Sequence, residues 1–277
     1  MTAVRITGAT RLYAIIGDPI AQVRSPEVLT GWLAAKGVNA AVIPMQVLPD
    51  RFDDTVTSLM RLGNMDGLLV TVPYKGRTLP FASRLGDTAR CIGAVNALRR
   101  EADGTWTGDM FDGAGFVRAA QRKGEAFEGR SIVLFGAGGA GSAIGFALAT
   151  AKVASLAIID PQGERARALA KTLAEAFPSC RVSAASGIPA DANAIVNAST
   201  VGMRAEDGPP MPLGPLARDT LVGDVVVSEA PTAMIRHAME QGCRYVTGKD
   251  MHAGQIDALM SFFLPHLFTQ PASRATT

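Results

Sequence analysis

The chain has 277 residues, of which 48% are hydrophobic, 19% charged and 6% aromatic, which excludes a disordered or collagen-like protein. Its formal net charge of +2 is too small, and its basic residues too scattered, to indicate a nucleic-acid partner. No apolar run approaches the length of a membrane span and the amino terminus does not resemble a signal peptide, so we expect a cytoplasmic protein without membrane contact.

The amino-terminal half alternates short apolar runs with longer amphipathic ones, which is the pattern of βαβ units. The run LYAIIG, residues 12–17, predicts a strand. The next segment, SPEVLTGWLAAKG, predicts a helix with Ser25 as N-cap, Pro26 at the first helical position and Gly37 as the stop. A βα unit is therefore expected to open the fold.

Two more strands and a hairpin are predicted in the same half. The strands are AAVIPM, residues 40–45, and the apolar start of GLLVTVPYK, residues 67–75, with a helix over residues 50–61 between them. Asp103-Gly104, between two extended runs, is the strongest short hairpin signal. We expect this hairpin to end a first α/β unit.

The second half of the chain repeats the α/β pattern. GRSIVLFGAGGAGSAIGFALATA predicts a strand, a glycine-rich turn and a helix, and SLAIID predicts the next strand. An amphipathic helix is expected over residues 164–177. Further strands are predicted at residues 194–197, at residues 221–227 and around Tyr245, and helical structure is predicted from Met251.

The glycine-rich turn predicts a dinucleotide site. Gly136, Gly138 and Gly141 fit GxGxxG directly after a strand and at the start of a helix, which is the context that this motif requires. The first glycine makes the tight turn, the second lets the backbone approach a pyrophosphate, and the third allows close helix packing. A tight turn that binds nothing is the alternative. The residues expected to cradle the cofactor are Gly136, Ala137, Gly138, Gly139 and Ala140.

Asp160, at the end of the next predicted strand, indicates which cofactor is bound. A carboxylate at this position accepts both hydroxyls of the adenosine ribose and repels a 2′-phosphate. We therefore expect NAD, with NADP as the less favoured cofactor. Arg165 in the following helix weakly favours NADP, because a guanidinium there could reach the 2′-phosphate.

Polar residues also stand at the ends of apolar runs, where ligands bind in open α/β sheets. They are Ser25, Thr71, Lys75, Asn96 and Asp112. Each has a local explanation as well, such as helix capping for Ser25 and Asp112 or a turn for Asn96. The three cysteines are far apart and no residues have metal-ligand spacing, so we expect no bound metal.

Taken together, the motifs resemble those of the shikimate/quinate dehydrogenase family over nearly the whole chain. GDPIAQVRSP resembles the family's GxPxxHSxSP, GLLVTVPYK resembles GxNVTxPxK, GAVNAL resembles GAVNT, and GDMFDGAGF resembles GxNTDxxGF. GAGGAGSA resembles its dinucleotide loop, VNASTVGM resembles NATxxGM, and GKDMHAGQ resembles GxxMLxxQ. The motifs follow one another in the family's order.

This resemblance implies an α/β fold with an N-terminal substrate-binding catalytic domain, a Rossmann domain and a C-terminal helix that returns to the first domain. The active site would lie in the cleft between the domains. We expect the three parts at residues 1–108, 109–248 and 249–277. The resemblance implies that Lys75 and Asp112 form the catalytic pair, and that Ser25, Thr71, Asn96 and Gln255 hold the substrate, Ser25 at its carboxylate. It implies cofactor contacts from Thr200, Gly202 and Met203.

The chemistry suits the implied pair. Oxidation of a secondary alcohol requires a general base at hydrogen-bond distance from the hydroxyl, while hydride leaves the carbinol carbon for the nicotinamide. Lysine can serve because its ammonium group readily shifts its pKa when desolvated. Asp112 would orient both Lys75 and the hydroxyl.

The chain departs from the family pattern at positions that ordinarily contact the substrate. Val23 stands where the family has the first serine of its SxS pair, Leu69 where it has asparagine, and Val227 where it has tyrosine. Gln22 replaces a histidine, and Met110-Phe111 replaces Asn-Thr. A polar group of shikimate that loses its partner at such a position costs about 1–3 kcal/mol of binding free energy. We therefore expect the best substrate to be a relative of shikimate and not shikimate itself.

The sequence therefore predicts an NAD-dependent oxidoreductase for the CH–OH group of a cyclic hydroxy acid such as shikimate or quinate, working as a monomer or homodimer. One alternative is a non-catalytic NAD-binding regulatory protein of the same fold. Another is a methylenetetrahydrofolate dehydrogenase, which is weaker because Thr71-x-Pro73-x-Lys75 and residues 93–96 match the shikimate pattern better.

Overall fold

The structure, a computed structural model, describes residues 5–268 as an α/β protein. The strands within the described range are β1 (Arg11–Gly17), β2 (Ala40–Gln46), β3 (Met65–Val70), β4 (Arg84–Leu85), β5 (Ala97–Arg100), β6 (Trp106–Asp109), β7 (Ser131–Phe135), β8 (Ser155–Ile159), β9 (Arg181–Ala184), β10 (Ala194–Asn197), β11 (Leu221–Asp224) and β12 (Arg244–Val246). The helices are α1 (Ser25–Ala35), α2 (Phe52–Met60), α3 (Asp87–Ile92), α4 (Asp112–Arg122), α5 (Gly139–Thr150), α6 (Gly163–Ala176), α7 (Ala233–Glu240) and α8 (Gly248–Phe263).

The chain divides into two compact units. The first consists of the described parts of Met1–Leu85 and Ile256–Thr277 together with Val95–Asp109, and the second of Gly86–Ala94 and Met110–Gln255. The expected domain boundaries, 1–108, 109–248 and 249–277, stay a prediction.

The first unit is built on a mixed sheet with the strand order β2-β1-β3-β5-β6-β4. β1 pairs in parallel with both β2 and β3, whereas β5 is antiparallel to β3 and to β6. Asp103-Gly104 lies between β5 and β6 with Gly104 at φ +81°, so the predicted hairpin is confirmed. β2 forms one edge of the sheet and contains Pro44.

The end of α8 belongs to the first unit. The Phe263 ring packs edge-on against Tyr13 with centroids 5.1 Å apart. A Cβ built on Gly67 would lie 2.6 Å from the Phe263 ring, so only glycine allows this helix to lie so close to β3. The predicted return of the C-terminal helix to the first domain is thereby confirmed.

The second unit has a fully parallel sheet with the order β12-β11-β10-β7-β8-β9. This is the doubly wound order of dinucleotide-binding folds, which reverses between β7 and β10. β7 and β10 are buried along almost their whole length, which explains their continuous apolar sequences. The predicted Rossmann fold is confirmed.

One local prediction is wrong. Ser25 does not cap α1, because Arg24 already has helical dihedral angles and stands at the N-cap, without a side-chain cap hydrogen bond. Ser25 is therefore the first helical residue and Pro26 the second. Gly37 does end the segment, in the left-handed region at φ +70°. Within residues 5–268, no helix has the length and apolarity needed to cross a membrane.

Candidate active site

The first unit brings three predicted site residues together at the carboxyl end of β3. The Thr71 N–H donates to the Ile16 carbonyl at 2.9 Å, which holds Thr71 beside the end of β1. The Val70 N–H donates to the Asn96 carbonyl at 2.8 Å, and the Val95 N–H to the Lys75 carbonyl at 2.9 Å. Thr71, Lys75 and Asn96 thus stand on backbone segments that are hydrogen-bonded to one another.

Tyr74, which sequence reasoning missed, anchors the segment that carries Lys75. Its ring is buried and stacks on Phe52 with centroids 4.2 Å apart, and its hydroxyl donates to the Val47 carbonyl. The Tyr74 carbonyl accepts a hydrogen bond from the Thr78 hydroxyl at 2.9 Å. Burial raises the pKa of the Tyr74 phenol. Phe52 also packs on Phe81, but these three aromatic residues are spread over residues 52–81 and gave no local sequence signal of the contact.

Leu69 is an apolar residue in β3, two residues before Thr71. Side chains alternate along a strand, so Gly67, Leu69 and Thr71 share one face of the sheet. Leu69 is buried and pairs with Ala97 on β5. Val23 is half-buried in the segment between β1 and α1, two residues before Ser25. Both departures from the family pattern therefore remove polar groups within the first unit.

The second unit positions Asp112 at the first residue of α4. The Asp112 carboxylate is buried and accepts a hydrogen bond of 2.7 Å from the Gln255 amide on α8. Two glycines permit this approach: a Cβ on Gly254 would lie 2.2 Å from the Gly115 carbonyl oxygen, and one on Gly115 would lie 2.2 Å from Gln255 Cγ. The structure thus brings together Asp112 and Gln255, which are far apart in the sequence.

The glycine-rich turn has the geometry that a dinucleotide requires. Gly136 lies at φ +95°, and a Cβ there would be 2.9 Å from the Ala198 backbone. A Cβ on Gly141 would lie 2.0 Å from the Gly136 carbonyl oxygen. At Gly138 a Cβ would meet nothing within 4 Å, so open space adjoins the backbone where α5 begins. The turn fits a pyrophosphate held at a helix N-terminus.

A cavity of about 660 Å³ extends from this turn. Its lining includes Gly136, Asp160, Arg167, Ser199 and Val201. Both Asp160 oxygens are engaged by backbone N–H groups, Oδ2 by Ala137 at 2.8 Å and Oδ1 by Gln162 at 2.8 Å. This carboxylate therefore helps to build the turn.

The loop after β10 carries Thr200, Gly202 and Met203. Gly202 lies at φ +100°, and its N–H donates to Asp207 at 2.9 Å. The N–H groups of Arg204 and Gly202 lower the pKa of the Asp207 carboxyl. Met203 is 62% exposed. Within the described range no group of His, Cys, Asp and Glu side chains is arranged to hold a metal ion.

Comparison with known proteins gives consistent matches. The protein-family model of the shikimate dehydrogenase substrate binding domain matches residues 15–98. The chain is 35% identical to shikimate dehydrogenase (NADP(+)) of Rubrobacter xylanophilus, over 91% of this chain and 89% of the relative.

Solved structures match over nearly the whole length. Shikimate 5-dehydrogenase of Listeria monocytogenes, crystallised with shikimate and NAD, is 26% identical with a TM-score of 0.85 and covers 95% of this chain and 94% of its own. The 5-ketofructose reductase of Gluconobacter sp. strain CHM43 is 25% identical with a TM-score of 0.84 and covers 94% of each chain.

The expectation of NAD is wrong. The Rubrobacter relative and others at 34–35% identity are named for NADP(+). In the structure the Asp160 carboxylate accepts hydrogen bonds from two backbone N–H groups of its own unit, so this acid also has a local role that the sequence did not reveal. An acidic residue at this point of the sequence is therefore not sufficient to indicate recognition of ribose hydroxyls.

Proposed function

The chain belongs to the shikimate dehydrogenase family, and on this premise we propose that it is an NADP-dependent oxidoreductase that interconverts a secondary alcohol and a ketone on a cyclic hydroxy acid. The observation that carries the proposal is the convergence of Thr71, Lys75 and Asn96 at the end of β3. The bound dinucleotide would supply the hydride acceptor. The residues that would hold it are the turn from Gly136 to Gly141 and the loop with Thr200, Gly202 and Met203.

Lys75 and Asp112 are proposed to handle the proton. In the oxidative direction Lys75 takes the proton from the substrate hydroxyl, and in the reductive direction its ammonium group returns a proton to the same oxygen. Asp112 is proposed to act with Lys75, and the hydrogen bond from Gln255 supports this role because it fixes the orientation of the carboxylate. Thr71, Asn96 and Ser25 are proposed to bind the polar groups of the substrate.

Arg165 and Arg167 are the candidate partners of the 2′-phosphate of NADP. Both lie in the first turns of α6, directly after Asp160, and Arg167 borders the cavity. A Cβ built on Gly163 would lie 3.2 Å from the Arg167 guanidinium, so this side chain folds back over the start of the helix. A cation beside a helix N-terminus suits a phosphate.

The substrate is proposed to be less polar than shikimate where it meets Val23 and Leu69. A second candidate is a ketone of a polyol without a carboxylate, because Val23 removes one serine of the pair whose other member, Ser25, is expected at the carboxylate. The similarity to a 5-ketofructose reductase supports including this class. A non-catalytic regulatory protein is not favoured, because cofactor binding alone has no use for Lys75 beside Thr71 and Asn96.

We expect a spectrophotometric panel at 340 nm to detect oxidation of shikimate, quinate or a deoxygenated or aminated relative with NADP, or reduction of 5-ketofructose with NADPH. Efficient oxidation of shikimate, at about 10⁴ M⁻¹s⁻¹ or better, would contradict the altered substrate. A lower dissociation constant for NAD than for NADP would contradict the proposed cofactor.

Lys75→Ala is expected to lower kcat by about 10²-fold or more, because the general acid–base group is removed. NADP binding, measured by calorimetry, should be unchanged. Lys171→Ala is the matched control, since Lys171 is exposed on α6 and its ion pair with Glu175 is a surface one. Retention of kcat in Lys75→Ala would exclude the proposed role.

A further inference from the structure

The second unit contains a buried acid that the proposed chemistry does not use. Asp224, the last residue of β11, is 1% exposed and pairs in register with Asn197, the last residue of β10. Burial raises the pKa of its carboxyl, while hydrogen bonds from Thr232, Val226 and Asn197 oppose that shift. Burying a carboxylate costs free energy of folding unless the group is hydrogen-bonded or paired with a charge.

Asp224 is hydrogen-bonded on both oxygens. Oδ1 accepts from the Asn197 amide at 3.0 Å and from the Val226 N–H at 3.1 Å. Oδ2 accepts from the Thr232 hydroxyl at 2.6 Å. Thr232 in turn caps α7 by accepting from the Ile235 N–H. The carboxylate therefore links the ends of two central strands to the start of a helix.

The Asn197 side chain also forms hydrogen bonds to the loop after β10. Its amide nitrogen also donates to the Val201 carbonyl at 2.8 Å. Its amide oxygen accepts from the Ser199 N–H at 3.0 Å and from the Ser199 hydroxyl at 2.7 Å. The Ser199 hydroxyl oxygen then accepts from the Val201 N–H at 3.1 Å. Because Asn197 makes all these bonds, its side chain can take only one orientation.

The loop held in this way forms part of the cofactor cavity. Ser199 and Val201 line the same cavity as Gly136 and Asp160. A Cβ on Gly136 would lie 2.9 Å from the Ser199 nitrogen, so the loop also touches the glycine-rich turn. A displaced loop would change the width of the cavity at the point where the turn begins.

We propose that Asp224 is a positioning residue for the dinucleotide, which acts through Asn197 to hold residues 199–201 at the cavity wall. The inference rests on the proposed function, because it assumes that this cavity binds NADP. Asp224 itself lies behind the loop and is not a catalytic residue.

Two substitutions separate this role from a general contribution to stability. Asp224→Ala removes one of the two acceptors of the Asn197 amide and the acceptor of the Thr232 hydroxyl, and we expect the dissociation constant for NADP to rise at least about 10-fold. Asp224→Asn keeps an oxygen for Asn197 and can donate to the Thr232 oxygen. It should bind NADP within about 3-fold of wild type.

Glu125→Ala is the matched control. Glu125 is also a buried acid of the second unit, paired with Arg130 and Arg244 and absent from the cavity lining. It should lower the melting temperature without changing NADP affinity. Calorimetry is done at a temperature at which circular dichroism shows that every variant is folded. Hydrogen exchange of residues 198–203 should increase in Asp224→Ala and not in Glu125→Ala.

The outcomes are distinct. Unchanged NADP affinity in Asp224→Ala, or an equal loss of affinity in Glu125→Ala, would overturn the positioning role and leave the proposed function intact. Failure of the wild-type protein to bind NADP would instead contradict the proposed function.

Discussion

At the scale of single residues, the glycines of the turn differ in what they do. Gly141 is fixed by packing, since a Cβ would overlap the Gly136 carbonyl oxygen at 2.0 Å. Gly138 has an ordinary negative φ of −81° and open space beside it, so its own fold does not require glycine. We attribute the glycine at this position to the proposed dinucleotide, whose pyrophosphate would need the open space beside it.

We therefore expect Gly138→Ala to keep the wild-type melting temperature within a few degrees and to weaken NADP binding by about 10-fold or more, since the methyl group would occupy the pyrophosphate approach. Gly141→Ala should lower both the melting temperature and the affinity. Differential scanning fluorimetry and calorimetry on the same samples make the comparison. Wild-type affinity in Gly138→Ala would argue against a dinucleotide at this turn.

The sequence predicts the roles of some single residues and not of others. Lys75, Thr71 and Asn96 could be singled out as candidates because each ends a recognisable run, and their expected roles came from the resemblance to the family. The roles of Asp160 and Asp224 could not, since they depend on which N–H groups lie within 3.1 Å once the chain is folded. An acid at the end of a strand is compatible with ligand binding, loop construction or strand linkage. Only the donors around it distinguish these roles.

At the scale of elements, the long periodic segments and the short strands β10, β11 and β12 were predictable, whereas several other short elements were not. The strands around β1, β3, β7 and β8 and the helix α6 follow their apolar patterns. The missed elements are short or exposed: β4 has two residues, α3 six and α7 eight, and β9 is mostly exposed. Such segments form because neighbours pack on them, and their own sequences carry little periodic signal.

The contact between α4 and α8 is the element-scale feature on which the Asp112 orientation depends. Gly254→Ala would place a methyl group 2.2 Å from the Gly115 carbonyl oxygen and force the helices apart. We expect a loss of about 1–3 kcal/mol in the free energy of unfolding, together with a lower kcat as the Gln255–Asp112 hydrogen bond lengthens. Urea denaturation and steady-state kinetics measure the two effects.

Gly31→Ala is the control for that substitution. Gly31 lies within α1, and a Cβ there would meet nothing within 4 Å. Alanine should stabilise the helix by up to about 1 kcal/mol and leave kcat unchanged. Equal stability of Gly254→Ala and Gly31→Ala would show that the two helices can separate without cost.

At the scale of the whole molecule, each unit has acids whose ionised form is favoured by folding. In the first unit, Glu101 has a lowered pKa because hydrogen bonds from Thr107 and Arg99 outweigh the opposing effect of burial. In the second unit, burial likewise opposes the shift at Asp250, but hydrogen bonds from Lys123 and Thr247 lower its pKa. Asp224 is the opposite case, with a pKa raised by burial.

Stability should therefore decrease in acid. A lowered folded-state pKa means that the unfolded chain binds protons more readily, so the stabilisation present above the ordinary value of 3.8 for Asp250 is lost as the pH falls through its folded-state pKa. Urea midpoints from pH 7 to pH 3 should fall most steeply below about pH 4. The urea midpoint of Asp250→Asn should decrease less than that of the wild type over the same pH range. A midpoint that rose on acidification would show that Asp224 dominates.

Pro44 in β2 has a consequence for solubility. A sheet edge exposes unpaired backbone groups that can recruit a strand from another chain. β2 is the longest of the edge strands, with seven residues, while β4, β9 and β12 have two to four. Proline removes a donor from that longest edge and is tolerated there because no further strand needs it. The one edge that is long enough to template aggregation is thus interrupted by its own sequence.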